Sequence, residues 1–203
     1  MKTLLFLSLI FIVLFYGCGS TKSNLLNRDP SFNPNDFFNS SITIYYPLSV
    51  SISNTKYADY KEENTKSEIA NMLKEKIETV SPRTTVFIGK ELVPSYFRGV
   101  LISKEAGMEF IKASKTKYLV FIQQVLVGED SKMQTMQTST GVPYSYSQSE
   151  TKTTMYFDIW NKDLKASVFS IEVKAAINDG LLVNSLNSSF SNAIDEFISN
   201  IKK

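Results

Sequence analysis

Residues 118–127 read Tyr-Leu-Val-Phe-Ile-Gln-Gln-Val-Leu-Val, apolar except at Gln123 and Gln124. The run is too short to cross a bilayer as a helix, which needs about 20 residues. It lacks the polar face of a surface helix and the alternation of a half-buried strand. It predicts a central strand buried on both faces, and the rest of the chain must supply its neighbours.

Those neighbours are legible on both sides. Ile42, Ile44, Tyr46, Leu48, Val50 and Ile52 occupy every even position, the period of a half-buried strand. Pro47 cannot donate to a ladder, so it ends that strand, bulges it or lies at an edge. A helix follows over 58–80, with Ile69, Met72, Leu73, Ile77 and Val80 on one stripe. Thr65 and Glu68 have capping-box spacing, which allows a start as late as 65, and Ser81-Pro82 stops it. Residues 83–88 form a short strand ended by Gly89, and 90–102 are irregular. Ser103 caps a short helix reaching about residue 114, with Glu105 near its positive end. Segments 153–160 and 166–177 are two further strands, joined by turn residues Asn161-Lys162-Asp163-Leu164. A final helix over 181–201 carries a stripe of Leu182, Leu186, Phe190, Ile194, Phe197 and Ile201. The order β-α-β-α-β-β-β-α predicts an α+β fold, a single mixed β-sheet with helices packed on it, over one α/β domain spanning 41–203.

The first residues carry an address. Lys2 is followed by an apolar run over 4–16, interrupted only by Ser8. At 13 residues it fits the apolar region of an export signal and not a membrane span. The run ends in Leu14-Phe15-Tyr16-Gly17-Cys18, which resembles the bacterial lipoprotein signal, a small residue before an invariant cysteine. The resemblance implies that 1–17 is a signal peptide and that Cys18 is diacylglycerated and becomes the new N-terminus. It implies an envelope location, with lipid on Cys18 holding the protein to the membrane. Two or more acyl chains give a lasting anchor. Gly19, with no Asp after the cysteine, favours the outer membrane facing the periplasm, with the cell surface as the alternative. Residues 18–40 then read as a flexible tether, rich in Ser, Thr and Asn, with an r.m.s. reach of roughly 25 Å. Phe32, Phe37 and Phe38 are expected to dock its end onto the domain.

Composition narrows the chemistry. The 203 residues include no histidine and one cysteine. That removes the commonest general base and zinc ligand, and excludes an internal disulfide, a thiolate cluster and a redox pair. The net charge of +2 argues against nucleic acid as partner. The eight glycines form neither GxGxxG nor GxxxxGK. Glu62-Glu63 and Glu129-Asp130 are read as solvated charge and not as a hydrolytic carboxylate pair. No spacing singles out a Ser-Lys pair. Trp160, Tyr45 and Tyr46 are read as packing residues. No cofactor, metal or catalytic residue is expected.

The element order resembles the α/β domain of envelope lipoproteins: the N-terminal domain of TolB, CsgG-type secretion lipoproteins and lipoprotein activators of penicillin-binding proteins. The residues that carry it are a first strand (Ile42 to Leu48) before a long helix, Lys104-Glu105-Ala106-Gly107 leading into Lys117-Tyr118-Leu119-Val120, and the hairpin Phe157-Asp158-Ile159-Trp160-Asn161-Lys162-Asp163-Leu164-Lys165. The resemblance implies action by binding, with no catalytic residues to transfer.

Residues 128–150 are the segment bland packing does not explain. They form a long hairpin loop where two to five residues are usual, and such a segment is either functional or a disordered or extended hairpin with no partner. Met133, Met136, Val142, Tyr144 and Tyr146 among Gln, Ser and Thr suit a protein-contact surface. The leading expectation is a non-enzymatic, membrane-anchored lipoprotein that binds another envelope component in assembly, cell-wall synthesis or secretion. The alternatives are a structural subunit of an oligomeric envelope or secretion complex and, last, an envelope hydrolase.

Overall fold

The computed structural model describes residues 20–53, 57, 59–89, 97–98, 101–137, 143–178 and 186–203. The signal peptide and Cys18 lie outside the described residues. The elements are β1 (Ser20–Arg28), α1 (Pro34–Phe38), β2 (Ser41–Ile44), β3 (Ser49–Ile52), α2 (Glu62–Val80), β4 (Thr85–Ile88), β5 (Phe97–Arg98), β6 (Leu101–Ile102), α3 (Lys104–Ala113), β7 (Tyr118–Gln137), β8 (Pro143–Asn161), β9 (Ala166–Asn178) and α4 (Leu186–Lys202). Seven strands form one sheet in the order β1-β9-β8-β7-β2-β4, with β3 also on β7. The β2, β3 and β4 pairings are parallel and the others antiparallel. This is an α+β protein with one mixed sheet, and β5 and β6, in the stretch expected to be irregular, pair antiparallel as a separate two-stranded sheet.

The apolar run is the centre of that sheet. Tyr118, Val120, Ile122 and Val125 belong to the larger core, whereas Leu119 and Phe121 belong to a smaller one across the sheet. The larger core lies under α2 and α4. Ile69, Leu73 and Ile77 from α2 and Leu186, Phe190, Ile194, Phe197 and Ile201 from α4 are fully buried there. Phe157 of β8 stacks on Phe197 at 4.1 Å between ring centroids. The smaller core lies under α3, where the Trp160 ring covers Gly107. A Cβ at 107 would come within 2.4 Å of that ring, so the glycine permits the close approach.

The β-α-β-α-β-β-β-α order needs correction at its start. The flexible tether expected over 18–40 is replaced, from Ser20 on, by ordered structure. β1 pairs antiparallel with β9 from Ser20↔Ala176 to Arg28↔Phe169 and makes one edge of the sheet. Its polar sequence STKSNLLNR is what an exposed edge strand tolerates, because its affinity comes from backbone hydrogen bonds and not from burial. The chain then turns through Asp29, whose carboxylate accepts from the Ser31 backbone and hydroxyl. Asn33 caps α1 by accepting from Asn35 and Asp36 N–H groups. Phe32, Phe37 and Phe38 are buried, as expected.

The alternating run over 42–52 is two strands and not one. β2 ends at Ile44↔Val120 and β3 resumes at Ser49↔Gln124. Pro47 lies in the break, where no ladder donor is needed. β7 itself bulges between Ile122 and Val125 against β8, so the two irregularities are level in the sheet. α2 starts at Glu62, earlier than the capping-box spacing suggests. The Thr65 hydroxyl donates back to the Lys61 carbonyl at 2.9 Å instead of capping. Ser103 does cap α3, accepting from the Ala106 N–H at 3.2 Å. The Asn161 side chain accepts from the N–H groups of Asp163 and Leu164 and closes the β8–β9 turn, with Lys165 at φ 53°. Leu182 lies outside the described residues.

Candidate functional site

The expected loop over 128–150 is mostly strand. β7 and β8 continue pairing past the sheet, row after row, from Gly128↔Lys152 to Gln137↔Pro143. The last β3 pairing on β7 is Ile52↔Val127, and the last β9 pairing on β8 is Glu150↔Asn178. Among the described residues, no strand pairs with either outer edge of the ribbon beyond those rows. Nine residue steps at about 3.4 Å each carry it roughly 30 Å beyond Gly128. A two-stranded ribbon is at best marginally stable alone in water. This one is continuous with a buried sheet, which sets its register.

The base is polar and internally matched. Lys152 pairs with Asp130, which holds the Lys152 ammonium above its ordinary range. The Tyr156 hydroxyl donates to Glu172 at 2.7 Å and Lys174 pairs with Glu172 at 3.0 Å, so that carboxyl is held below its usual range. On the core side, Thr151 and Thr153 are fully buried, and Ser189 of α4 donates to Thr153 at 2.6 Å. These contacts tie the root of the ribbon to the helical layer. Beyond the root, residues 133–149 contain no Asp, Glu, Lys or Arg.

The candidate contact residues do not fall together. Met136 is directly opposite Tyr144, and Tyr146 is opposite Gln134. These positions share one parity along the ribbon. Met133, opposite Ser147, has the other parity and is 78% exposed. Val142 lies outside the described residues. The missed signal was the alternation Tyr144-Ser145-Tyr146-Ser147, which has a strand's period of two.

Asp158 is a buried carboxylate, and burial pushes it up despite hydrogen bonds from Ser167 (2.5 Å), Ser170 (2.7 Å), Trp160 Nε1 (2.8 Å) and the Ile102 N–H. With four donors converging on it and only 2% of its surface exposed, it organises the β8–β9 hairpin over α3. Trp160 is accordingly a packing residue, and so is Tyr45, stacked on Phe121 at 4.8 Å. A groove of about 440 Å³ beside Tyr45, Phe87 and Phe110 has, among the described residues, Lys115 as its charged lining residue. Among the described residues no group of three potential ligands could hold a metal ion. No helix among them is long and apolar enough to cross a membrane.

No protein-family model matches the chain. No curated protein matches it either. Among solved structures it is similar to a PelC dodecamer variant from Paraburkholderia phytofirmans, with 15% identity over 91% of this chain and 98% of that one, at TM-score 0.44. A second PelC dodecamer structure from the same organism gives 11% identity over 91% and 97%, at TM-score 0.45. A putative neuraminyllactose-binding hemagglutinin homolog from Helicobacter pylori gives 9% identity over 87% and 83%, at TM-score 0.37.

Proposed function

We propose that this protein is a non-enzymatic lipoprotein, held to an envelope membrane by lipid on Cys18, that binds another envelope component through the β7–β8 ribbon. The observation that carries the reading is the ribbon itself, roughly 30 Å of paired strand to whose edges, among the described residues, no further strand is paired beyond the sheet. Open edges present rows of unpaired N–H and C=O groups to which a partner strand can add, with alternate side chains setting specificity. The outer membrane, on its periplasmic side, is the location that Gly17-Cys18-Gly19 favours.

The test is photo-crosslinking in living cells from a probe replacing Met133, compared with one at Lys74 on α2. A discrete protein adduct unique to position 133 is the expected result. Absence of an adduct there, with the protein expressed and folded, refutes the assignment of partner binding to the ribbon. Lipid on Cys18 is read separately, by mass of the mature N-terminal peptide.

A further inference from the structure

The start of β1 and the root of the ribbon are at the same end of the sheet. Ser20 lies in one transverse row with Ala176, Lys152 and Gly128. β1 runs from that row toward Arg28, away from the ribbon, while the ribbon leaves the sheet at Gly128 in the opposite direction. In sequence Gly19 alone separates Cys18 from Ser20, so Cys18 lies within at most about 7 Å of that row. A surface that holds the cysteine is therefore within reach of the root of the ribbon.

Charge and backbone chemistry say what that surface is. A strand edge facing water is ordinarily guarded by charge, Lys above all. Here Glu129, Asp130, Lys132, Glu150 and Lys152 cluster at the root, and 133–149 carry none. The ribbon cannot span hydrocarbon by itself, because both edges would leave backbone groups unpaired there. The headgroup layer keeps enough water to satisfy those groups, and it is where Tyr is enriched. Uncharged strands with Tyr, Met and hydroxyl residues match that layer.

We propose that the ribbon formed by 128–137 and 143–150 lies in the headgroup layer of the bilayer that holds Cys18, as a second, non-covalent membrane contact. The inference rests on the lipid anchor of the preceding reading.

Full-length protein in phosphatidylethanolamine–phosphatidylglycerol vesicles tests it. A lipidated Cys18 has no free thiol, so in Tyr144→Cys the introduced thiol alone takes an environment-sensitive dye. Lys74→Cys is the control, and Tyr146→Cys replaces the first variant where that one does not fold. A headgroup-level spin-labelled lipid is expected to quench the ribbon dye about threefold or more over the control, as for an interfacial side chain. Equal quenching at the two sites, with unsubstituted protein refusing the dye, overturns the headgroup contact and leaves the anchor standing. Dye uptake by unsubstituted protein shows a free Cys18 and overturns the anchor together with this inference. A ribbon dye that ignores the spin-labelled lipid but changes on dilution of the protein within the membrane overturns the inference in favour of contact with a second copy.

Discussion

Replacing Phe37 by alanine tests whether the segment between β1 and β2 is part of the fold. Phe37 is fully buried. Its ring meets Phe38 and Tyr118 edge-on, each at 5.2 Å between centroids, and Phe32 at 6.1 Å. Phe32 continues the cluster to Phe169 of β9 at 5.4 Å. Deleting such a ring removes its transfer energy and leaves a cavity that rigid neighbours fill poorly, a loss of about 3–5 kcal/mol. At roughly 2–4 °C per kcal/mol for a domain of this size, the thermal midpoint falls by roughly 6–20 °C. Urea unfolding of the full chain, followed by Trp160 fluorescence, should show a lower midpoint with an unchanged slope. Leu26→Ala, at a 40% exposed edge position, is the control and should stay within about 0.5 kcal/mol. A Phe37→Ala loss below about 1 kcal/mol would mean that 32–38 is not docked and is a tether after all.

Four further outcomes follow from the same packing. Gly107→Ala adds a favourable helical residue, yet its methyl meets the Trp160 ring, so overpacking at about 1–3 kcal/mol outweighs the gain of up to about 1 kcal/mol, seen as a lower thermal midpoint. Burial raises the Asp36 carboxyl, but hydrogen bonds from Lys117 (2.9 Å) and Tyr118 (2.6 Å) outweigh it and hold the group below its ordinary 3.8. Its stabilisation is therefore present above that value and lost as pH falls through the folded one. Asp36→Asn should flatten the acid limb of a urea-midpoint profile below about pH 5, whereas an unchanged limb would remove Asp36 from the docking of α1. Asp158 has the opposite sign, since burial raises it, and its contribution fades as pH rises. Shortening the ribbon by removing 131–148 spares every fully buried side chain among the described residues, so the thermal midpoint should move by no more than about 4 °C while partner capture at the ribbon is lost.

The sheet's centre was legible because burial on both faces leaves a chemical trace, an apolar run with no polar period. The helices over 62–80 and 186–202 were legible for the same reason, through stripes that the structure buries. β1 left no such trace. STKSNLLNR has the composition of a coil because an edge strand exposed on most of its surface is held by backbone hydrogen bonds, to which side-chain pattern is blind. Phe32, Phe37 and Phe38 were the correct hint that the segment is not free, but they fix only its end. The break at Pro47 was visible as a rule about donors, though not as two strands. Over 128–150 loop length was the wrong guide. Polar residues on both faces suppress the hydrophobic alternation by which strands are recognised, leaving only the Tyr-Ser repeat to report the period.

The edge strand also changes what a lipid on Cys18 would do. A tether over 18–40 lets a domain roam within roughly 25 Å of its anchor, so its orientation is free. With β1 zipped to β9 from Ser20, the span from Cys18 to the sheet is two residue steps, at most about 7 Å. An anchor on so short a lead would fix which end of the sheet meets the membrane. That end carries the ribbon, the charged root at Asp130 and Lys152, and the uncharged stretch beyond it. The opposite end carries α1 and the Asp36–Lys117 pair. Orientation then follows from a backbone ladder, and it can be broken without touching the anchor. A proline at Asn24, opposite Glu172, removes a ladder N–H from β1, so the strand should peel from the sheet and lengthen the lead. The dye at 144 would lose its lipid quenching while lipid stayed on Cys18. Retained quenching in that variant would show that the ribbon finds the membrane by itself and that β1 does not aim it.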